Sequence, residues 1–216
     1  RDAIENKQVA GSIVLETMSP AQQQEFLQHQ ECNYAVHSDQ HGRFRASAFV
    51  QRGQHGLVLR RIKDEIPKIA ELGLPPIVTE LAMAKRGLVI FVGGTGTGKS
   101  TSLAAMVGHR NRNSRGHILS IDDPIEFVHD HAGCLVTQRE VGIDTDTFEA
   151  GLQNALRQAP DVILIGEVRS AETMAQALTF AETGHLCLCT LHANNANQAI
   201  DRILSFFPVA RHNQVL

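Results

Sequence analysis

Two kinds of hydrophobic patterning divide the chain. Up to Ile62, short half-apolar runs are interrupted by Gly-containing turns, the signature of small strands with one wet face. From Ile77 onward, almost purely apolar runs alternate with segments whose apolar residues recur every three or four positions, as in buried strands alternating with helices. Residues 9–15 contain β-branched side chains. Ser19-Pro20 offers an N-cap followed by proline at the first helical position, which predicts a helix over 20–30. Residues 32–38, 43–51 and 57–62 read as strands, with turns at 39–42 and 52–56. This is a small α+β domain over residues 1–62 with an antiparallel sheet. Residues 63–74 are charged, weakly periodic and precede Pro75-Pro76, so they read as a linker.

The second domain, from residue 75, predicts an α/β order. A helix over 77–84 leads to a fully buried strand at 88–92 and a helix over 100–107, where Leu103, Ala104 and Val107 have helical spacing. A strand at 117–121 and an extended run at 134–141 follow. A helix over 147–158 has Asp146 as N-cap and Glu149 three residues on. Then come a strand at 162–165, a helix over 171–183 closed by Gly184, a strand at 186–190 and a helix from 196 to 206. The last two helices carry apolar stripes, Met174, Ala177, Leu178 and Ala181 on one and Ile200, Ile203, Leu204 and Phe207 on the other. Asn195 with Gln198 makes a capping-box-like start. Such alternation predicts a mostly parallel sheet covered on both faces, with ligands beyond the carboxyl ends of the strands.

The segment Gly93-Gly-Thr-Gly-Thr-Gly-Lys-Ser100 matches the phosphate-loop pattern without a mismatch, and it sits between a predicted strand and helix. The loop amides and the helix dipole converge on one point suited to a polyphosphate. Gly94, Gly96 and Gly98 allow positive φ and close approach, Lys99 reaches the β- and γ-phosphates, and the Ser100 hydroxyl holds Mg²⁺. The nucleotide-cradling set is Gly94, Thr95, Gly96, Thr97, Gly98, Lys99, Ser100 and Thr101. A glycine turn that binds nothing is the competing reading, and the agreement of loop and flanks weighs against it. Three further residues fall at the same strand edge. Glu167 ends the apolar strand beginning at Asp161 and fits a metal-site acid. Glu126, after another strand, is a second acid able to orient or deprotonate water. His192 follows the strand at 186–190, where it can sense the γ-phosphate or simply be structural.

Composition narrows the partners. With 20 Lys+Arg against 23 Asp+Glu the 216-residue chain has net charge −3, which gives no basic field for nucleic acid or an anionic membrane. No run approaches the roughly 18–20 apolar residues of a membrane span. The chain begins with Arg1 rather than Met, which leaves open a start further upstream. Cys32, Cys134, Cys187 and Cys189 form neither a disulfide framework nor a C-x-x-C site, so a reducing cytoplasm fits best. Cys187 and Cys189 share one strand face and read as core. His129, His131 and Cys134 are conceivable metal ligands, but no fourth is evident.

Taken together, Gly93-Gly-Thr-Gly-Thr-Gly-Lys-Ser-Thr101, Ile121-Asp-Asp-Pro-Ile-Glu-Phe127, Thr137-Gln-Arg-Glu140, Leu156-Arg-Gln-Ala-Pro-Asp161, Ile165-Gly-Glu-Val-Arg169, Ala181-Glu-Thr-Gly-His185 and Thr190-Leu-His192 resemble the secretion ATPases of type II secretion and type IV pili. They stand in that family's order of Walker A, Asp box, Walker B and His box. The resemblance is closest to the retraction branch, of the PilT/PilU type, and the run from Leu186 to Asn197 looks more like PilU. Phe44-Arg-Ala-Ser-Ala-Phe49 and residues 57–61 resemble the family's PAS-like N-terminal domain. Asp122 stands where Glu is usual before Asp-Pro, and Ser170 where Asp is common. The C-x-x-C pairs of the extension and type II branches are missing.

The resemblance implies a RecA-like P-loop ATPase core over 75–216, lacking the family's C-terminal helical region, behind the N-terminal domain. It implies a homohexamer with ATP and Mg²⁺ between subunits that powers pilus retraction and twitching motility. Its place would be cytoplasmic and peripheral at the inner membrane, working with a pilus platform protein and a paralogous pilus ATPase. By motif position Glu126 is the water-activating acid, Glu167 the Walker B acid beside Ser100 at the metal, and His192 the His-box residue. Arg45 and Arg60 match N-terminal-domain arginines able to act as charge-stabilising fingers, or they are exposed strand arginines. Two other readings stay open: a weakly or non-hydrolysing accessory subunit, and a P-loop phosphoryl transferase.

Overall fold

The computed structural model describes residues 7–62 and 65–212. They divide into two units, one up to Asp64 and one from Glu65.

In the first unit, helix α1 (Lys7–Glu16) contains the β-branched stretch and buries Val14. Helix α2 (Pro20–His29) starts where the Ser-Pro pair predicts. Ser19 and Gln22 exchange the two bonds of a capping box, and Gln30 ends the helix in the left-handed region. Strands β1 (Glu31–Ser38), β2 (Gly42–Gln51) and β3 (Gln54–Arg61) form an antiparallel sheet in that order. The second turn is shorter than its sequence implies. Only Arg52 and Gly53, both with positive φ, lie outside the ladder, because Gln54, His55 and Gly56 pair with β2. A Cβ on Gly56 would lie 2.6 Å from the Phe49 ring, so a larger residue there would force that ring to move. Cys32, Tyr34, Ala46 and Ala48 share the inner face and pack with Val14, Met18 and Phe26.

In the second unit a single 3-10 turn, Ile69–Glu71, precedes helix α3 (Ile77–Ala82). The expected linker is therefore corrected from residue 65 on: Ile69 is buried with Val78, Ala82 and Met106, and Leu72 and Leu74 pack on them. These three apolar residues tie the segment to the second unit. Strand β4 (Gly87–Val92) and helix α4 (Lys99–Asn113) flank the phosphate loop. Strands β5 (Gly116–Asp122) and β6 (Cys134–Glu140), helix α5 (Phe148–Ala155), strand β7 (Val162–Ile165), helix α6 (Ala171–Glu182), strand β8 (Leu186–Leu191) and helix α7 (Ala196–Ser205) follow.

The sheet is parallel throughout, in the order β4-β8-β7-β5-β6. Strand β4 is thus an edge strand, half-buried rather than fully buried as its apolar run implies. Alternation along the central strands feeds two cores. Ile118, Val162, Leu164, Leu186 and Leu188 meet Leu103, Met106 and Val107 of α4. Leu119, Ile163, Ile165, Cys187 and Cys189 meet Leu152, Met174, Ala177, Phe180 and Ala199 from α5, α6 and α7.

Side chains outside the apolar pattern pin the connections. The buried Arg110 donates to the carbonyls of Ala82 at 3.1 Å and Ala84 at 2.6 Å, closing the C-terminus of α3. Asn111 donates to Asp130 O and accepts from Ala132 N and Cys134 N, holding the loop before β6. Thr147, not Asp146, caps α5, its hydroxyl accepting from Ala150 N at 3.1 Å. His131 Nδ1 accepts from Val136 N, which commits that ring to the loop. Among the described residues no three His, Cys, Asp or Glu side chains gather as metal ligands, and no helix is long and apolar enough to cross a membrane.

Candidate functional site

Parallel pairing decides what meets at the carboxyl edge of the sheet. Val92 is level with Leu191, so the first glycine of the loop lies beside His192. Ile165 is level with Cys189 and Ile121, which brings the segment around Glu167 between β8 and β5. That segment is fixed by two bonds: Val168 N donates to Thr190 O at 2.9 Å, and Thr190 Oγ1 donates to Gly166 O at 2.6 Å. Ser170 then caps α6 by accepting from Thr173 N at 3.1 Å.

Within the loop, Thr97 Oγ1 donates to Gly94 O at 2.8 Å, and Lys99 Nζ donates to Gly93 O at 2.9 Å and Gly94 O at 2.8 Å. Positive φ falls on Gly93, Gly96 and Gly98. The expectation of positive φ at Gly94 is corrected: the freedom is used one residue earlier, where a Cβ would lie 2.5 Å from Thr97 Oγ1. Gly98 forms the N-cap of α4, so Lys99 and Ser100 open its first turn with unpaired backbone N–H groups ahead of them. Thr95, Gly96 and Thr97 are exposed at the tip, and Ser100 and Thr101 are half-buried below it.

Glu167 is held from both sides. His192 Nε2 lies 3.0 Å from its Oε1, and Arg169 Nε donates to its Oε2 at 2.6 Å. Arg169 Nη1 also donates to Asp123 Oδ2 at 3.0 Å, which links the segment after β5 to the segment after β7. The Glu167 side chain is only 19% exposed, against 43% for His192. The sequence marks Glu167 and His192 and assigns Arg169 and Asp123 no role; Arg169 lies two residues beyond Glu167, but only the fold shows that one guanidinium spans both acids. Glu126 is exposed, and among the described residues no side-chain hydrogen bond or salt bridge engages its carboxylate.

Asp122, at the end of β5, is buried, and its Oδ2 has no hydrogen-bond partner among the described residues. Burial pushes its carboxyl up to about 7; the nearby Ser120 hydroxyl opposes the rise, and Glu140 and Glu126 add to it. The folded state therefore holds this proton more tightly than the unfolded chain does. The stabilisation is full below the unfolded pKa near 3.8 and is lost as pH rises through about 7. Unfolding titrations will show stability falling across this window by at most about 1.4 kcal/mol per pH unit from this group. In Asp122→Asn the slope will flatten; an unchanged slope would remove Asp122 as its source.

In the first unit, Arg45 and Arg60 are directly opposite one another across β2 and β3. They share the face opposite the one carrying Ala46 and Ala48. Like charges in facing positions repel, and among the described residues neither has a carboxylate partner. The structure thus brings these two together within their own unit.

A parallel sheet with the phosphate loop on one strand, an acid at the end of the strand two places away and a histidine on the strand between defines a RecA-like ATPase core. Comparison with known proteins carries this further. The type II/IV secretion system protein family matches residues 6–211, and the chain belongs to that family. It is 65% identical over 202 residues to the type IV pilus ATPase PilU of Pseudomonas aeruginosa, covering 94% of this chain and 53% of that protein. It is 43% identical over 205 residues to the type IV pilus retraction ATPase PilT of the same organism, covering 95% of this chain and 59% of PilT. A crystal structure of the pilus retraction motor PilT with bound ADP superimposes with a TM-score of 0.92 at 43% identity, covering 94% of this chain and 60% of that one. The chain spans little more than half the length of these relatives.

Proposed function

We propose that this chain is part of a homohexameric ATPase that hydrolyses ATP to drive type IV pilus retraction. The observation that carries the reading is the meeting of the phosphate loop and the Glu167–His192 pair at one sheet edge. The 65% identity to PilU, and the ADP bound in the PilT crystal structure, support the pilus and nucleotide parts of it. In this reading the residues from Gly94 to Thr101 cradle the phosphates, with Lys99 turning from the loop carbonyls toward the β- and γ-oxygens. Glu126, exposed and without a hydrogen-bond or salt-bridge partner among the described residues, orients or deprotonates the attacking water. His192, tied to Glu167, couples the state of the γ-phosphate to that carboxylate.

Mg²⁺ suits the oxygen donors available. No hydrogen bond among the described residues engages the Ser100 hydroxyl, and Glu167 keeps lone pairs beyond its two bonds. Ser100 and Glu167 would hold the ion, which supplies Lewis-acid polarisation of the transferred phosphoryl oxygens. The first unit takes the role of a PAS-like N-terminal domain, whose Arg45 and Arg60 approach the nucleotide of a neighbouring subunit. The facing-charge geometry supports this, because a phosphate between two arginines relieves their repulsion. The working location is cytoplasmic and peripheral at the inner membrane, against a pilus platform protein and beside a paralogous ATPase.

The test is ATP turnover with mass determination of the assembled species in the same samples. Turnover that rises with the hexamer supports the reading, and full turnover by isolated subunits overturns the ring. Arg60→Ala will lower turnover about tenfold or more in the assembled ring, an arginine that balances transition-state charge being worth at least that much. Weakened nucleotide binding by isolated Arg60→Ala subunits would count against a role in trans.

A further inference from the structure

A cavity of about 300 Å³ opens beside the phosphate loop, with Gly93, Gly94, His192, Asn194, Gln198 and Arg202 on its walls. Its position along the loop can be read from Lys99, whose ammonium rests on the Gly93 and Gly94 carbonyls. The cavity is therefore at the lysine's end of the loop, where the β- and γ-phosphates of a bound nucleotide belong. Across it stands His192, bonded to Glu167.

On the cavity wall formed by α7 stands Arg202. That helix is fixed at the sheet edge: Asn195 Oδ1 accepts from Gln198 N at 2.9 Å, Gln198 Oε1 accepts from Asn194 N at 3.2 Å, and Ala199 is buried in the core below β8. The Arg202 guanidinium lies 5.7 Å from the centroid of the Phe206 ring. Stacking on a ring face steadies the guanidinium and leaves its in-plane N–H donors available. Among the described residues no carboxylate lies within salt-bridge distance of it. A positioned, unpaired guanidinium facing a polar cavity has the geometry of an oxyanion receptor.

We propose that Arg202 binds the terminal phosphate of a nucleoside triphosphate held by the same chain, and so lets the site distinguish triphosphate from diphosphate. A diphosphate ends within the loop amides and Lys99, short of this wall; a third phosphoryl group extends into the cavity between His192 and Arg202. This cation acts in cis, separate from the arginine pair of the first unit, and the proposal rests on the nucleotide-binding reading of the loop.

Equilibrium titrations of the protein with ADP and with the non-hydrolysable triphosphate AMP-PNP test it, using wild type, Arg202→Ala, Arg202→Lys and Lys99→Ala. Arg202→Ala will weaken AMP-PNP about tenfold or more and change ADP less than about twofold, with Arg202→Lys between wild type and Ala for AMP-PNP. Retained ADP binding also shows that the variant is folded. Equal weakening of both ligands, or of neither, overturns the assignment. Wild type that binds neither ligand, or Lys99→Ala that binds both as wild type does, would instead remove the nucleotide reading of the loop.

Discussion

Lys99→Ala will reduce ATP turnover by at least about a hundredfold, the scale set by removing one preorganised charge from a phosphoryl-transfer site. Charge on the γ-phosphoryl oxygens shifts during transfer, and a lysine in contact with them is worth most when water is excluded. The same substitution will cost the fold little. In the structure Lys99 satisfies the carbonyls of Gly93 and Gly94, on a loop whose neighbouring tip is exposed, so water can replace the ammonium there. That exchange costs on the order of 1 kcal/mol or less. Turnover, nucleotide affinity and thermal unfolding measured on one preparation separate the two effects. A variant that turns over ATP like wild type would end the assignment of this loop as the catalytic phosphate site; one that unfolds many degrees earlier would show that Lys99 serves the fold.

Glu167→Gln will leave nucleotide binding within a few-fold and lower turnover by about a hundredfold or more, the usual scale for losing a group that acts on the metal or the attacking water. The side chain keeps its size, so the effect comes from charge and donor count. Glu167 accepts from Arg169 on one oxygen and faces His192 with the other. A glutamine has one carbonyl oxygen and one amide NH₂. Its oxygen will stay with the Arg169 donor, which turns the NH₂ toward His192 and requires an unprotonated Nε2 there. His192 Nε2 will therefore no longer carry a hydrogen in the variant, a change seen in its ring nitrogen NMR shifts that will accompany the loss of turnover. Turnover equal to wild type would sink the metal-site role, and unchanged His192 shifts would show that the pair at 3.0 Å does not persist in solution.

Both effects trace to contacts with different legibility. The phosphate loop is a local object: its glycines, lysine and helix N-cap are consecutive, so their geometry follows from one turn. The same holds for the Ser19 and Asn195 caps, whose partners lie three residues on. Arg169 and Asp123, by contrast, are 46 residues apart in sequence, and nothing in either neighbourhood predicts their bond. Arg202 was hidden for a different reason. It lies on the polar side of an amphipathic helix, where an arginine is ordinarily solvated, and only the packing of α7 beside the loop makes that side a cavity wall.

The sequence by itself determined the alternating α/β order, the phosphate loop and the identity of the acid and histidine at the strand ends, because periodicity, capping and loop chemistry act within a few residues. It misjudged β4 and residues 65–74, where burial depends on what else is placed alongside. An apolar strand reads the same at an edge as in the centre, and Ile69 becomes core only when α3 and α4 close over it. Tertiary structure alone decided the strand order that sets Gly93 beside His192 and the bonds that hold Glu167 from both sides. It also put Asp122 in a site dry enough to raise its pKa. Those outcomes depend on register and desolvation, which arise between segments distant in sequence.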